Sequence, residues 1–487
     1  MGKKESKTVI GEWAQREFCE AKLGDQRLTS RLIRLADRLS ELPESPINQA
    51  CKGWQETKAA YRFFRNDKVS ASEILATHTR QTAERSRSHQ TVLAIQDTSY
   101  FSYTHHPKTK GLGIISRTPG KRVKMMTSQG LVMHTCFAVS AEGLPLGIFD
   151  QKIHAREPQS EELRARKKRT HNNGVAIEEK ESFRWLESLR RTKGVTGTQE
   201  TQIVTVCDRE GDIYELFELA AQIKSSVLIR AAKDRRINQS SRYSEKSEHK
   251  LWSFIKNVPS QGTVEVEVPS KDQRPSRIAE LELRFEAFTI NPPRNHIRHK
   301  TETLPDLNLF AIHLFEKSPP EGTEAVEWML LTDIPITSFD EAMEKVGWYC
   351  LRWRIEVFHK ILKSGLKVEE CRLGSADRLI RYLTVMSVIA WRIFFITLMG
   401  RSNPNLPCTV LLDEEEWKVL HTKIHPGKVL PPDAPRLEDA IRWIAQLGGF
   451  LARKSDGNPG PIVIWRGWKR LSDLTDGWTL AHAQIYG

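Results

Sequence analysis

Two short runs constrain this fold most: Val92-Leu93-Ala94-Ile95-Gln96 leading into Asp97, and Ile203-Val204-Thr205-Val206-Cys207 leading into Asp208. Apolar, β-branched stretches of this length read as buried central strands. An acid at the carboxyl end of such a strand lies where open α/β sheets assemble their sites. An α/β fold is therefore expected, with a carboxylate at each of two strand ends.

A third acid sits in a different setting. From Tyr349 to Lys363 the chain reads Tyr-Cys-Leu-Arg-Trp-Arg-Ile-Glu-Val-Phe-His-Lys-Ile-Leu-Lys. At about 100° per residue, one helix would carry Tyr349, Arg352, Glu356, Lys360 and Lys363 on a common face. Leu351, Ile355, Phe358, Ile361 and Leu362 would face a core, interrupted by Arg354. Read by itself, Arg352 and Glu356 could be an ordinary i,i+4 surface pair worth a few tenths of a kcal/mol. Beside Asp97 and Asp208, a glutamate flanked by an aromatic and three cations suits phosphate handling. The carboxylate can hold a divalent cation while the cations grip phosphate oxygens. Two strand-end aspartates and a helix glutamate form the arrangement of a two-metal phosphoryl-transfer site, in which no covalent nucleophile from the protein is needed.

These residues resemble a known family, the bacterial cut-and-paste DDE transposases, in particular that of transposon five and its insertion-sequence-four relatives. The family's Y-(2)-R-(3)-E-(6)-K signature is matched by Tyr349, Arg352, Glu356 and Lys363, and its two aspartates fall on Asp97 and Asp208. The likeness runs from Leu23-Gly24-Asp25 and Ala60-Tyr61-Arg62-Phe63-Phe64-Arg65-Asn66 to Leu447-Gly448-Gly449-Phe450. It implies that Asp97, Asp208 and Glu356 are catalytic and bind two Mg2+ ions, with Mn2+ as a substitute. Arg352, Lys363 and Lys360 would position phosphate, and Tyr349 would support the terminal phosphate. Trp328, in Glu327-Trp328-Met329-Leu330-Leu331-Thr332, would receive a base flipped from the duplex; its bland alternative is a tryptophan buried in a strand. The implied reaction nicks the transposon ends, forms and resolves a DNA hairpin, and joins the freed ends to target DNA. Two alternatives stay open: an inactive DNA-binding regulator of the same fold, and a nuclease that cuts without joining.

Composition agrees with a polyanionic partner. The chain of 487 residues is 39% hydrophobic, with a net charge of +13 and a pI near 9.3; it can bury a large core and carry several domains. Its seven cysteines include no C-x-x-C pair, which speaks against a zinc ribbon and a secreted disulfide framework. No signal peptide is expected, because no apolar run follows Met1-Gly2-Lys3-Lys4. The most membrane-like stretch, Leu379 to Met399, contains Arg381 and Arg392 and reads as a buried helix. The expected setting is the bacterial cytosol, on double-stranded DNA, with no membrane.

Three regions follow. Residues 1–75 are expected to be a helical DNA-end-binding domain. There Leu28, Leu32, Leu35, Ala36 and Leu39 make an apolar face, and Arg27, Arg31, Arg34 and Arg38 a cationic stripe. Arg62 and Arg65, with Trp54 and Tyr61, add candidate DNA contacts, though Tyr61, Phe63 and Phe64 suit a core equally well. Residues 76–375 are expected to be a ribonuclease-H-like catalytic domain, with three antiparallel strands followed by strands alternating with helices. The stretch between Asp208 and Glu356 exceeds one strand and one helix, so a β-rich insertion is placed at about 232–335, against the active site. Its basic connectors, Lys233 to Arg242 and Arg294 to Lys300, and a loop from Arg164 to Arg169, suit DNA contact. Glu210, Asp212, Glu369 and Glu370 match no motif position and read as structural or solvated. Residues 376–487 are expected to be a helical dimerisation region. In it Leu437, Ile441, Ile444, Ala445 and Leu451, bared by Gly448-Gly449, and Ile464, Trp465, Trp468 and Leu471 would meet a second copy of the chain.

Overall fold

The computed structural model describes residues 13–51, 53–118, 126–157, 175–197, 200–237, 250–268, 276–294, 296–453 and 455–483. Five helices come first: α1 (Trp13–Phe18), α2 (Gln26–Glu41), α3 (Ile47–Ala50), α4 (Trp54–Arg65) and α5 (Ala71–Ser86). Asp25 starts α2 by accepting the Arg27 backbone N–H at 2.9 Å, which satisfies one orphan donor of the first turn. Leu32, Leu35, Ala36 and Leu39 are buried, as the helical spacing predicts. The expected boundary at residue 75 falls inside α5, whose Thr79 and Arg85 bond to the Ile148 and Leu146 carbonyls. The helical unit is thereby docked on the sheet.

The run ending in Asp97 lies in the middle of that sheet. β1 (Thr91–Ser102) is followed by β2 (Gly113–Thr118), β3 (Met126–Ser140) and β4 (Pro145–His154). β1 pairs antiparallel with β3, and β3 pairs antiparallel with β4 and, nearer its start, with β2. After α6 (Phe183–Thr196) comes β5 (Gln202–Cys207), parallel to β1; after α7 (Tyr214–Gln222) comes β6 (Ser226–Arg230), parallel to β5. Val92 and Ala94 enter one apolar cluster, Leu93 and Ile95 another. A strand paired on both edges and covered on both faces has no place for polar alternation, which is why the sequence run is continuous. This order of antiparallel then parallel strands is the expected one; β2 was not foreseen.

The β-rich stretch between Asp208 and Glu356 is joined to the same sheet. It contains α8 (Leu251–Asn257), β7 (Gly262–Val268), β8 (Arg277–Ile290), β9 (Leu307–Glu316) and β10 (Glu327–Thr332). β10 pairs antiparallel with β6, so these strands extend one 10-stranded sheet rather than forming a separate layer. The reason is the free edge of β6, which would otherwise expose unpaired backbone groups.

Next come α9 (Phe339–Cys350), α10 (Trp353–Lys360), α11 (Ala376–Ser402), α12 (Glu414–Ile424), α13 (Leu437–Leu447) and α14 (Pro461–Ala483). α11 is long and apolar enough to cross a membrane, but 89% of its most apolar window is buried inside the protein. It is a core helix, apolar on all sides because helices and sheet surround it. The apolar faces expected to meet a second chain are largely used within this one. Leu437, Ile441, Ile444, Ala445, Ile464, Trp465, Trp468 and Leu471 are all buried, whereas Leu451 is exposed. Gly448 and Gly467 bring α13 and α14 into backbone contact: a Cβ at Gly448 would strike the Val463 carbonyl, and one at Gly467 the Ile444 carbonyl. The small residues serve close helix packing inside the protomer.

Where α2, α11, α12 and α14 meet, the buried Arg392 guanidinium lies 4.7 Å from the Trp13 ring and 5.9 Å from that of Trp465. Burial raises Asp37 to about 6 and Glu416 to about 7, although Arg392 opposes both shifts. Arg38 also favours the Asp37 charge, while Glu41 and, for Glu416, Asp413 disfavour it. Both acids hold their protons to higher pH in the folded than in the unfolded chain. Their contribution is therefore present below the unfolded values and is lost as pH rises through about 6 to 7. Glu416→Gln, which keeps an acceptor for the Asp413 backbone N–H, is expected to stabilise the protein at pH 8 by on the order of 1–2 kcal/mol. At pH 5 it should change little. Urea melts of both proteins at the two pH values measure this, and an equal effect at each would contradict the assignment.

Candidate active site and nucleic-acid interface

Asp97 and Asp208 are brought together by strand register. Ile95 lies opposite Val206 in the parallel β1–β5 pair, so Asp97 and Asp208 come side by side where β5 ends; β1 itself runs on to Ser102, held by its pairing with β3, so Asp97 lies within its strand and not at the expected strand end. Asp208 is held by its own turn, its Oδ1 accepting the Glu210 N–H at 2.8 Å. Burial raises the Asp208 pKa, and the neighbouring Asp97 charge adds to that, while the Glu210 N–H and the Arg352 charge oppose it. Two carboxylates set side by side repel, and a cation relieves them.

That cation is in part Arg352. Its guanidinium approaches Glu356 Oε1 at 3.3 and 3.4 Å. Burial disfavours its charge, but Tyr349, Asp97, Glu356 and Asp208 together outweigh this and raise its pKa. Arg352 thus links all three predicted acids electrostatically. Among the described residues no group of three or more His, Cys, Asp or Glu side chains is gathered closely enough to hold a metal ion. The acids are neighbours through Arg352 rather than members of a closed cage.

The single helix expected from Tyr349 to Lys363 is broken. α9 ends at Cys350, α10 begins at Trp353, and Ile361–Gly365 forms a π-helical turn. The break lets Tyr349 turn inward while Glu356 stays half-exposed, so the common face is built by a bend and not by one helical period. Ile355, Phe358, Ile361 and Leu362 are buried as expected. Lys363 lies 5.2 Å from the Phe101 ring, and Lys360 is exposed.

Tyr349 is buried, which pushes its hydroxyl up despite the Arg352 and Arg230 charges. Trp328, half-buried on β10, meets it edge-on with ring centroids 5.9 Å apart. Arg230 was missed from the sequence. It ends β6, hydrogen-bonds to Tyr349, and donates to the Glu327 carbonyl at 3.1 Å. Its signal was present: Val227 to Ile229 is a third apolar strand, and Arg230 stands where β1 and β5 carry their acids.

Of the N-terminal cations, Arg62 and Arg65 are exposed in the last turn of α4, and Trp54, 76% exposed, opens the same helix at its other end. Tyr61 is exposed rather than core, unlike Phe63 and Phe64. Arg27 is open to solvent apart from a 3.4 Å contact with Asp25, while Arg31 is tied to Glu56 at 2.5 Å and Arg38 to Glu41 at 3.1 Å. The stripe of four is therefore partly neutralised, because i,i+3 and inter-helix acids lie in reach.

Beyond Asp208 opens a groove of about 630 Å³, lined in part by Lys180, Arg209, Lys233, Arg235, Arg236 and Arg294. Asp212 builds its floor: fully buried, it accepts the Ala232 and Lys233 N–H groups at 2.8 and 3.0 Å and pairs with Arg235. Arg209, Lys233, Arg236 and Arg294 have no ion pair with a described acid. Arg298, expected in a DNA-contacting connector, is instead bound by Glu218 at 2.6 and 2.9 Å. Glu210 pairs with Arg184 at 3.1 Å, and Glu369 accepts the Ser102 N–H at 2.6 Å. The Arg164 to Arg169 loop and residues 238–242 lie outside the described residues.

Comparison with known families adds two matches. Residues 10–69 match the model described as Transposase DNA-binding, and residues 388–486 that described as Transposase Tn5 dimerisation domain. The first covers α2 and α4 with their arginines; the second covers the second half of α11 and all of α12 to α14. Together they support a Tn5-type transposase, a DNA-processing enzyme with DNA and a second copy of itself as partners.

Proposed function

We propose that this chain is a DDE transposase of the insertion-sequence-four group, with a ribonuclease-H-like core that nicks transposon ends, forms and resolves a hairpin, and transfers the strand to target DNA. The observation that carries the reading is that adjacent parallel strands bring Asp97 and Asp208 side by side where β5 ends, with Arg352 joining them to Glu356.

The donor set fits Mg2+. Asp97, Asp208 and Glu356 supply only carboxylate oxygens, and Mg2+ takes few of these, filling its shell with water and phosphate. Bound there, two ions would supply Lewis-acid stabilisation to the attacking and leaving oxygens of an in-line displacement. The protein's own part is positioning. Glu356 must leave Arg352, which it meets at 3.3 Å. Once released, Arg352 is free to grip a phosphate, alongside Lys363 and Arg230, with Tyr349 held between Arg230 and Trp328. The basic groove beyond Asp208 gives a DNA strand a path away from the scissile phosphate.

The decisive experiment incubates the purified protein with its own element's end DNA and Mg2+ and resolves the products on a denaturing gel. Hairpins and joined products are expected. Binding without cleavage would indicate a regulator, and linear breaks without hairpins or joining a nuclease. Trp328→Ala is expected to lower hairpin yield roughly tenfold while the first nick proceeds, since a lost base–indole stack is worth about 1–3 kcal/mol. Time courses of nick and hairpin distinguish this from a core tryptophan, whose loss slows both steps alike.

A further inference from the structure

We infer that His359 is a positioning residue for Asp97, holding one oxygen of that carboxylate so that the other faces the cleft. This rests on the reading of Asp97 as a working acid of the site. α10 carries Glu356 outward and His359 inward, and the imidazole is only 4% exposed. Its Nδ1 lies 3.4 Å from Asp97 Oδ2. That is long for a hydrogen bond, as ligand-free sites commonly are before they tighten around substrate. Its Nε2 is buried and has no partner, so Asp97 is the one polar group it meets among the described residues.

Packing alone does not explain a histidine here. The rest of the inward side, Ile355, Phe358, Ile361 and Leu362, is apolar. An unpaired buried nitrogen costs about 1–3 kcal/mol that a leucine would avoid. Fixing a metal-binding carboxylate is a function that offsets such a cost, because outer contacts set the direction of the ligand oxygen. The opposite side of β1 is braced in the same manner. His134, fully buried, meets Thr98 Oγ1 at 2.9 Å and Gln96 Oε1 at 3.2 Å, the two neighbours of Asp97 in the chain.

The test compares His359→Leu and His359→Phe, which delete the contact, with His359→Asn, whose amide can still donate to Asp97. Mn2+ binding to the full-length protein without DNA is measured by electron paramagnetic resonance, and the Mg2+ dependence of single-turnover nicking is measured beside it. Leu and Phe are expected to weaken Mn2+ binding and to raise the half-saturating Mg2+ by about 10–100-fold, with end binding unchanged. Asn should recover most of this. Wild-type Mn2+ binding in a folded Leu or Phe variant overturns the inference, as does an Asn variant no better than they are. Asp97→Ala separates the two levels: if it still cleaves, the site reading fails, whereas an inactive Asp97→Ala beside an unaffected His359→Leu refutes the role of His359 alone.

Discussion

Alanine at Asp97, Asp208 or Glu356 is expected to abolish nicking, by on the order of a thousandfold or more, because each removes a ligand for charge stabilisation worth several kcal/mol. End binding should survive, since much of the affinity for DNA comes from phosphate contacts made elsewhere, such as those available to the exposed Arg62 and Arg65. Folding should survive too. Asp208 is held above its usual pKa by burial and by Asp97, so its removal relieves a cost. Asp212 provides the contrast. It is buried, pairs with Arg235 and caps two backbone N–H groups, so Asp212→Ala should destabilise the fold. Single-turnover cleavage, gel-shift binding and thermal melts of the four variants measure all three quantities. Near-normal cleavage by any of the first three would remove that residue from the site.

The second large effect concerns pairing of two DNA ends. The apolar face around Ile464, Trp465, Trp468 and Leu471 is buried against the protomer's own helices, and a charge there should unfold the C-terminal region rather than separate two chains. Further along α14, Leu474 is 36% exposed, Trp478 43% and Leu480 66%. The Tn5 dimerisation match covers this segment. The double variant Leu474→Glu, Trp478→Glu is therefore expected to reduce paired-end complexes at least tenfold, since like charges would face each other across an isologous contact. Single-end binding and the melting temperature should change little. Native gels with one and two labelled ends report the result, and wild-type pairing by this variant would place the interface elsewhere.

Much of this molecule was legible in its residues. The runs before Asp97 and Asp208 specify central strands because they are too short for a helix, rich in β-branched residues and continuously apolar, as a strand covered on both faces requires. α2 and α11 were equally plain, the first from its apolar period and the second from its length and continuous hydrophobicity. The matches to DNA-binding and dimerisation models agree with the regions read as basic and helical at the start and apolar and helical at the end.

What the sequence could not carry were decisions made between distant segments. Helical periodicity assumes an unbroken helix, but the break at Leu351–Arg352 and the π turn after Lys360 are set by what α9 and α10 pack against. Whether β7 to β10 form a separate layer or extend the sheet depends on the open edge of β6, a partner hundreds of ångströms of extended chain away in principle and absent from any local window. Burial of the Trp465 face within its own protomer depends on Gly448 and Gly467 meeting across two helices. Arg230 joined Tyr349 for the same reason. Sequence by itself determined which residues prefer the interior and which acids follow the apolar runs; only the tertiary structure decided where each strand ends and which partner each residue meets, because apolar burial has no direction and pairing is settled by whatever surface lies opposite.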